Sequence, residues 1–273
     1  FRVSFFGGGT DMKNYYKKSF GCVLSTTIDK FIYVVVRKQT GVWEHKYRIN
    51  WSKVEFKNSI NDIEHPIIRE SLRYFKIDFP IEITTFSEIP ANTGLASSSA
   101  FAVGLTSALI KLTGKKSTKE KIAKIAAKIE VDILKRKIGK QDHYSCAYGG
   151  LNLIKFYSNE KVDVKKITIN QKVFSKISKN FLLFYTNKKR DANKVLKKQY
   201  MPNKNQTVYL DKLKDMVFLG RSYLRNENLL NRFADLLGES WILKKKINPD
   251  STTQEISKFY SKSLKLGSRG GKI

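Results

Sequence analysis

The sequence predicts an α+β protein in two halves, and two patterns carry that expectation. Strand-like apolar runs crowd the first half: residues 3–6, the β-branched and aromatic run Phe31-Ile-Tyr-Val-Val-Val36, residues 43–51, and the alternating Ile81-Glu-Ile-Thr-Thr-Phe86. From Asp191 onward helical patterns prevail, over residues 192–200, 208–225, 228–242 and 252–266. The Ser- and Asn-containing stretch 158–171 marks the boundary, which gives domains 1–165 and 166–273.

Between these extremes each element has its own signal. Residues 66–75 read as a short helix opened by Pro66. After residue 100, Phe101, Leu105, Ala108, Leu109 and Leu112 recur at helical spacing. Ser117 and Glu120 have the capping-box spacing for the next helix. Its apolar stripe is Ile122, Ile125, Ala126, Ile129 and Ile133, and Gly139 is expected to end it. Residues 151–156 and 180–185 read as further strands.

The 273 residues are enough for one large domain or two small ones. No apolar run approaches the roughly 20 residues needed to span a bilayer. The N-terminus runs from Phe1-Arg-Val-Ser-Phe-Phe6 straight into glycines, unlike a signal peptide. Cys22 and Cys146 have no metal spacing and suit a reducing compartment, and His45, His65 and His143 form no zinc-type cluster. A cytoplasmic protein is expected. The net charge of +28 admits nucleic acid or anionic substrates as partners. Lys predominates over Arg and is spread along the chain, which argues against base readout, so nucleic acid is not the expected partner.

The most informative segment is Pro90-Ala-Asn-Thr-Gly-Leu-Ala-Ser-Ser-Ser-Ala100, between a strand and a helix. Small residues let a ligand approach the backbone, and the first amides of a helix point outward with no internal partner. The Ser hydroxyls add donors and oxygen ligands. Neither the P-loop pattern, nor a dinucleotide fingerprint, nor the protein-kinase motifs occur. The pattern P-x-x-x-G-L-x-S-S-[SA] resembles the second motif of the GHMP small-molecule kinases, the class of galactokinase and mevalonate kinase. That resemblance implies ATP bound by Pro90, Asn92, Gly94, Leu95, Ala96, Ser97, Ser98 and Ser99.

Four more segments resemble this family in the same order. Arg2-Val-Ser-Phe-Phe-Gly-Gly-Gly-Thr-Asp11 is similar to the sugar-kinase N-terminal signature, above all that of the heptose-phosphate branch, and implies that Gly9, Thr10 and Asp11 bind sugar. Gly139-Lys-Gln-Asp142 implies Asp142 as the catalytic carboxylate, with Arg2 as the cation beside it. Phosphoryl transfer to a hydroxyl needs such a group to orient the attacking oxygen and accept its proton. His143 stands where relatives tend to have Gln and is given no chemical role. Glu130 lies at the edge of its apolar stripe, where a carboxylate needs a partner; the resemblance supplies Mg²⁺, shared with Ser98. Tyr185-Thr-Asn-Lys-Lys-Arg-Asp-Ala192 implies Arg190 as a clamp for a phosphate already on the sugar.

The family's third motif, a Gly-rich loop, is approached by Leu264-Lys-Leu-Gly-Ser-Arg-Gly-Gly-Lys-Ile273, and the chain then stops, so the sequence reads as a fragment lacking it. The implied fold is a two-part GHMP kinase fold, with a ribosomal protein S5 domain 2-like N-terminal half and a ferredoxin-like C-terminal half. The implied activity is ATP- and Mg²⁺-dependent transfer of the γ-phosphoryl group to the anomeric hydroxyl of a heptose 7-phosphate, for surface-polysaccharide nucleotide sugars. Rival readings are a fucose-type or unphosphorylated-sugar kinase, or a basic RNA-binding module. A homodimer is compatible with all of them.

Overall fold

The computed structural model describes residues 1–187 and 204–272. The helix expected over 192–200 lies outside the described residues. Among the described residues, eight strands form two four-stranded sheets, in the orders β1-β2-β7-β8 and β3-β6-β4-β5. The strands are β1 (Arg2–Phe6), β2 (Gly21–Thr27), β3 (Ile32–Lys38), β4 (Tyr47–Asn50), β5 (Val54–Lys57), β6 (Ile81–Ser87), β7 (Leu151–Phe156) and β8 (Val162–Lys166). The described helices are α1 (Lys13–Tyr16), α2 (Pro66–Phe75), α3 (Ser97–Leu112), α4 (Lys119–Ala127), α5 (Gln141–Tyr148), α6 (Gln171–Asn180), α7 (Lys204–Tyr223), α8 (Leu230–Ile247) and α9 (Gln254–Lys265).

The chain forms two compact units that interleave in sequence. The first comprises Phe1–Arg2, Ile28–Arg136 and Asp142–Tyr148. In it β3 runs antiparallel to β6, from Ile32 opposite Ser87 to Lys38 opposite Ile81. β4 lies parallel on the other side of β6. The inward face of this sheet packs on α2 and α3, with Ile49, Ile68, Leu72, Ile81, Ile83, Leu105 and Leu109 in its core. α2 begins with Pro66 behind the His65 cap, whose Nδ1 accepts from the Ile68 amide at 3.4 Å.

The second unit comprises Val3–Thr27, Lys137–Gln141 and Gly149–Ile273. β2 pairs with β7 from Gly21 opposite Phe156 to Thr26 opposite Leu151. Phe5, Phe6, Leu24, Leu153, Val217, Phe233 and Leu237 form the core between this sheet and the helices α7 and α8. The linear division at residue 165 does not coincide with these units. β2 needs β7 as its hydrogen-bonding neighbour, and their shared apolar face needs α7 and α8, so all of them fall in one unit.

Several elements differ from the sequence reading. Only Tyr47–Asn50 of the stretch 43–51 is strand, and Val42 and Trp43 stand in an exposed loop. The cap of α4 is Thr118 rather than Ser117, accepting from the Lys121 amide at 3.2 Å; Glu120 then sits in the first turn, where the helix dipole favours it. That helix does not run to Gly139. It widens into a π turn over Lys128–Ile133 that is capped by Leu134, and the next residue, Lys135, takes the left-handed conformation. The strand expected over 180–185 is absent: Asn180 closes α6, and residues 182–185 find no strand partner among the described residues and stay exposed.

Candidate active site

The loop before α3 is held in an unusual backbone conformation. Asn92, Gly94 and Ala96 all have positive φ, 64°, 80° and 66°. For Ala96 this is strained, because a Cβ crowds the left-handed region. Ala96 is the N-cap of α3 and offers no side-chain acceptor, and the Ser97 hydroxyl instead accepts from the Asn92 amide at 3.4 Å. The first amides of a 16-residue helix are therefore left without a side-chain cap, at its positive end. Pro90, Asn92 and Gly94 are exposed, Leu95, Ser97 and Ser98 half-buried, and Ala96 and Ser99 buried.

Arg2 ties this loop to the acidic residue after the Gly139-Lys-Gln motif. Its Nε and Nη2 both lie 2.7 Å from Asp142 Oδ1, and Nη1 donates to the Gly94 carbonyl at 2.9 Å. The Arg2 amide donates to the Leu95 carbonyl at 3.3 Å. Asp142 sits in the first turn of α5, where the free amides favour a carboxylate. The cation and the carboxylate expected to act together are thus in direct contact, beside the uncapped helix start.

Glu130 occupies the π turn and is fully buried. Its Oε1 accepts from Arg136 Nη1 at 2.5 Å and its Oε2 faces His143 Nε2 at 2.8 Å. Burial pushes its carboxyl pKa up, but His143, Arg136 and a hydrogen bond from Ser99 outweigh it and hold the pKa below the usual value. The turn explains the pairing with Arg136: Lys135 reverses the chain, the Arg136 amide closes on the Glu130 carbonyl at 3.1 Å, and the side chains meet.

This arrangement bears on the Mg²⁺ expected at Ser98 and Glu130. A hard cation needs carboxylate oxygens turned toward it. Both Glu130 oxygens are engaged by basic side chains away from solvent, and the neighbouring hydroxyl is that of Ser99, not Ser98. The Glu130 half of the expected ligand pair does not fit a cation as arranged. Among the described residues no group of three His, Cys, Asp or Glu side chains forms a metal cage.

In the second unit, the expected sugar-binding residues are engaged internally. Asp11 is 2% exposed; its Oδ1 accepts from the Gly9 amide and Gln141 Nε2, and its Oδ2 from the Gln141 amide, each at 3.0 Å. The Thr10 hydroxyl donates to the Gly7 carbonyl at 2.8 Å and is fully buried. Thr10 therefore holds the loop in shape, and Asp11 fastens it to the Lys137–Gln141 segment. Gly139 is required there, because a Cβ would sit 1.8 Å from Asp11 Oδ2. Lys140 is bound in turn to Glu160, whose carboxyl stays near pKa 2: burial raises it, but Lys140, Lys17 and Tyr16 outweigh that. Arg190 lies outside the described residues.

Sequence reasoning missed His143, Arg136, Gln141 and Glu160. Gln141 and His143 flank Asp142 in a motif already singled out, so their positions were visible. Nothing in the spacing of Arg136 from Glu130 suggests a pair until the π turn is known.

Residues 64–150 match the family described as GHMP kinases N terminal domain. The chain is similar to a D-glycero-alpha-D-manno-heptose 7-phosphate kinase from Campylobacter jejuni, 27% identical over 99% of this chain and 83% of that protein. Its fold resembles the crystal structure of a D-glycero-D-manno-heptose 1-phosphate kinase from Bacteriodes thetaiotaomicron, with a TM-score of 0.80 at 22% identity, covering 100% of this chain and 82% of that one. It also resembles Lactococcus lactis galactokinase complexed with galactose, with a TM-score of 0.66 at 14% identity, over 97% and 78% of the two chains. The loop Pro90–Ala100 and the Asp142 partner of Arg2 both fall within the stretch that matches the GHMP kinases N terminal domain, and the chain around it is similar in sequence and fold to kinases of that class.

Proposed function

We propose that this protein is an ATP-dependent sugar kinase that phosphorylates the anomeric hydroxyl of a heptose 7-phosphate. The observation that carries the reading is the Arg2–Asp142 contact beside the uncapped start of α3. The α3 amides and the hydroxyls of Ser97 and Ser98 receive the ATP phosphates. Asp142 orients the acceptor hydroxyl and takes its proton, and Arg2 fixes the carboxylate and offsets charge on the transferring phosphoryl group. Ser98 would be the oxygen ligand this chain offers to Mg²⁺, which would neutralise phosphate charge. Glu130 positions Ser99, and with it the first turn of α3.

The heptose 7-phosphate assignment rests on the Gly-Gly-Gly-Thr-Asp11 form of the N-terminal signature and on the similarity to the Campylobacter jejuni kinase. Asp11 and Gly9 shape the acceptor side, and Arg190 is the residue proposed for the existing phosphate. An ADP-release assay over sugars and sugar phosphates, with Asp142→Asn as the control, tests this. ADP release with a heptose 7-phosphate, and much less with free heptose, fucose or galactose, is the expected result. Preference for an unphosphorylated sugar would overturn the substrate assignment while leaving the kinase reading intact.

A further inference from the structure

The sheet β3-β6-β4-β5 has two edges, and they differ. β5 is four residues long and carries Glu55 and Lys57, short and charged in the manner of edges that resist pairing. β3 has seven residues, begins Ile32-Tyr-Val-Val-Val36, and is paired with β6 on one side and with no strand on the other among the described residues. Its outward side chains include Tyr33 and Val35, 51% and 53% exposed. On its inward face Val34 and Val36 join Ala108, Lys111 and Leu112 around a groove of ≈ 260 Å³ between β3 and α3. A long apolar edge with an open groove beneath it is a template for another strand.

We propose that the occupant is a second copy of this chain, joined through β3 antiparallel to β3 about a two-fold axis at Val35, to give one continuous eight-stranded sheet. The argument is the self-complementarity of the strand. Side chains alternate between faces, so only registers that pair residues of like parity keep both inner faces inward. An axis at Val35 pairs all seven residues and sets Val35 against itself. It places Tyr33 opposite Arg37 of the other copy, a cation facing an aromatic ring, twice over by symmetry. Arg37 already holds Glu82 at 2.5 Å, which tempers its charge at the seam. On the inner face Val34 meets Val36 of the other copy, and the apolar groove beside α3 is covered from both sides. The same register sets Ile32 opposite Lys38 at the two ends of the paired stretch, away from the groove residues Val34 and Val36. Moving the axis to Arg37 would pair only three residues and set like charges against each other, and moving it to Val36 would pair only five and bring Lys38 against Val34 over the apolar groove.

Sedimentation of the chain across micromolar concentrations, with circular dichroism to confirm folding, reads the assembly directly. The wild-type chain is expected to sediment as a dimer, and Val35→Lys to dimerise at least about tenfold more weakly, since like charges across an interface are strongly unfavourable. Val35→Cys should cross-link to itself under diamide above the wild-type background of Cys22 and Cys146, whereas Val36→Cys, opposite residue 34, should not. A wild-type chain that stays monomeric, a dimer indifferent to Val35→Lys, or cross-linking no better at 35 than at 36 would overturn the proposal.

Discussion

The Arg2 guanidinium places two nitrogens 2.7 Å from Asp142 Oδ1 while a third holds the Gly94 carbonyl at 2.9 Å. One side chain therefore holds both the Asp142 carboxylate and the loop before α3, and the roles proposed for the two separate by mutation. Asp142→Asn should lower kcat by about 10²–10⁴-fold and leave ATP affinity within a few-fold. Arg2→Lys keeps the charge but loses the fork, so it should lower kcat and weaken ATP binding together. Steady-state kinetics with calorimetric ATP titration checks both. Retention of more than about a tenth of wild-type kcat by Asp142→Asn would remove the carboxylate from the proposed mechanism.

Glu130→Ala leaves Arg136 and His143 facing each other without their shared carboxylate, a loss typically worth about 3–5 kcal/mol in a buried pair. Glu130→Gln, which keeps the shape, should cost less. Urea unfolding of the two variants gives the order. A magnesium titration of turnover then separates roles: a positioning residue leaves the half-saturation point unmoved, whereas a marked rise for Glu130→Gln would make the carboxylate an ion ligand after all.

His65 caps α2 and packs edge-on against Trp51 and Phe101. Burial, and then the charge of Arg136, push its pKa down to about 4. Between pH 4 and the ordinary histidine value of about 6.5 the unfolded chain binds the proton and the folded one does not. Stability should thus fall as pH drops through that window, by up to about 3 kcal/mol. In His65→Asn, which retains a cap acceptor, the pH slope of the unfolding midpoint should flatten. An identical slope in both proteins would assign the acid sensitivity to other groups.

Gly139→Ala is expected to disrupt the acceptor side specifically. The new methyl group would displace the Asp11 carboxylate from the Gln141 amide. The KM for the sugar should rise several-fold more than the KM for ATP. Equal changes in both constants would point to a general loosening of the fold instead.

Much of this molecule is legible in one dimension, because periodicity and loop chemistry are local. The alternation in 81–86 and the apolar run 31–36 yield β6 and β3, Pro66 yields α2, and the small-residue loop yields the uncapped start of α3. The Arg2, Asp142 and Glu130 positions also stand out as residue types in motifs. What Glu130 touches was not legible, since its partners depend on a π turn and on a left-handed Lys135, neither of which has a periodic signature. Residues 180–185 read as a strand because the run is apolar, but a strand exists only where a neighbour supplies its hydrogen bonds, and the described residues supply none there. The sequence alone determined which residues stand as candidates, because motifs are local; tertiary structure decided which of them remain available, because Asp11, Thr10 and Glu130 are committed to internal hydrogen bonds that only the folded chain brings within reach.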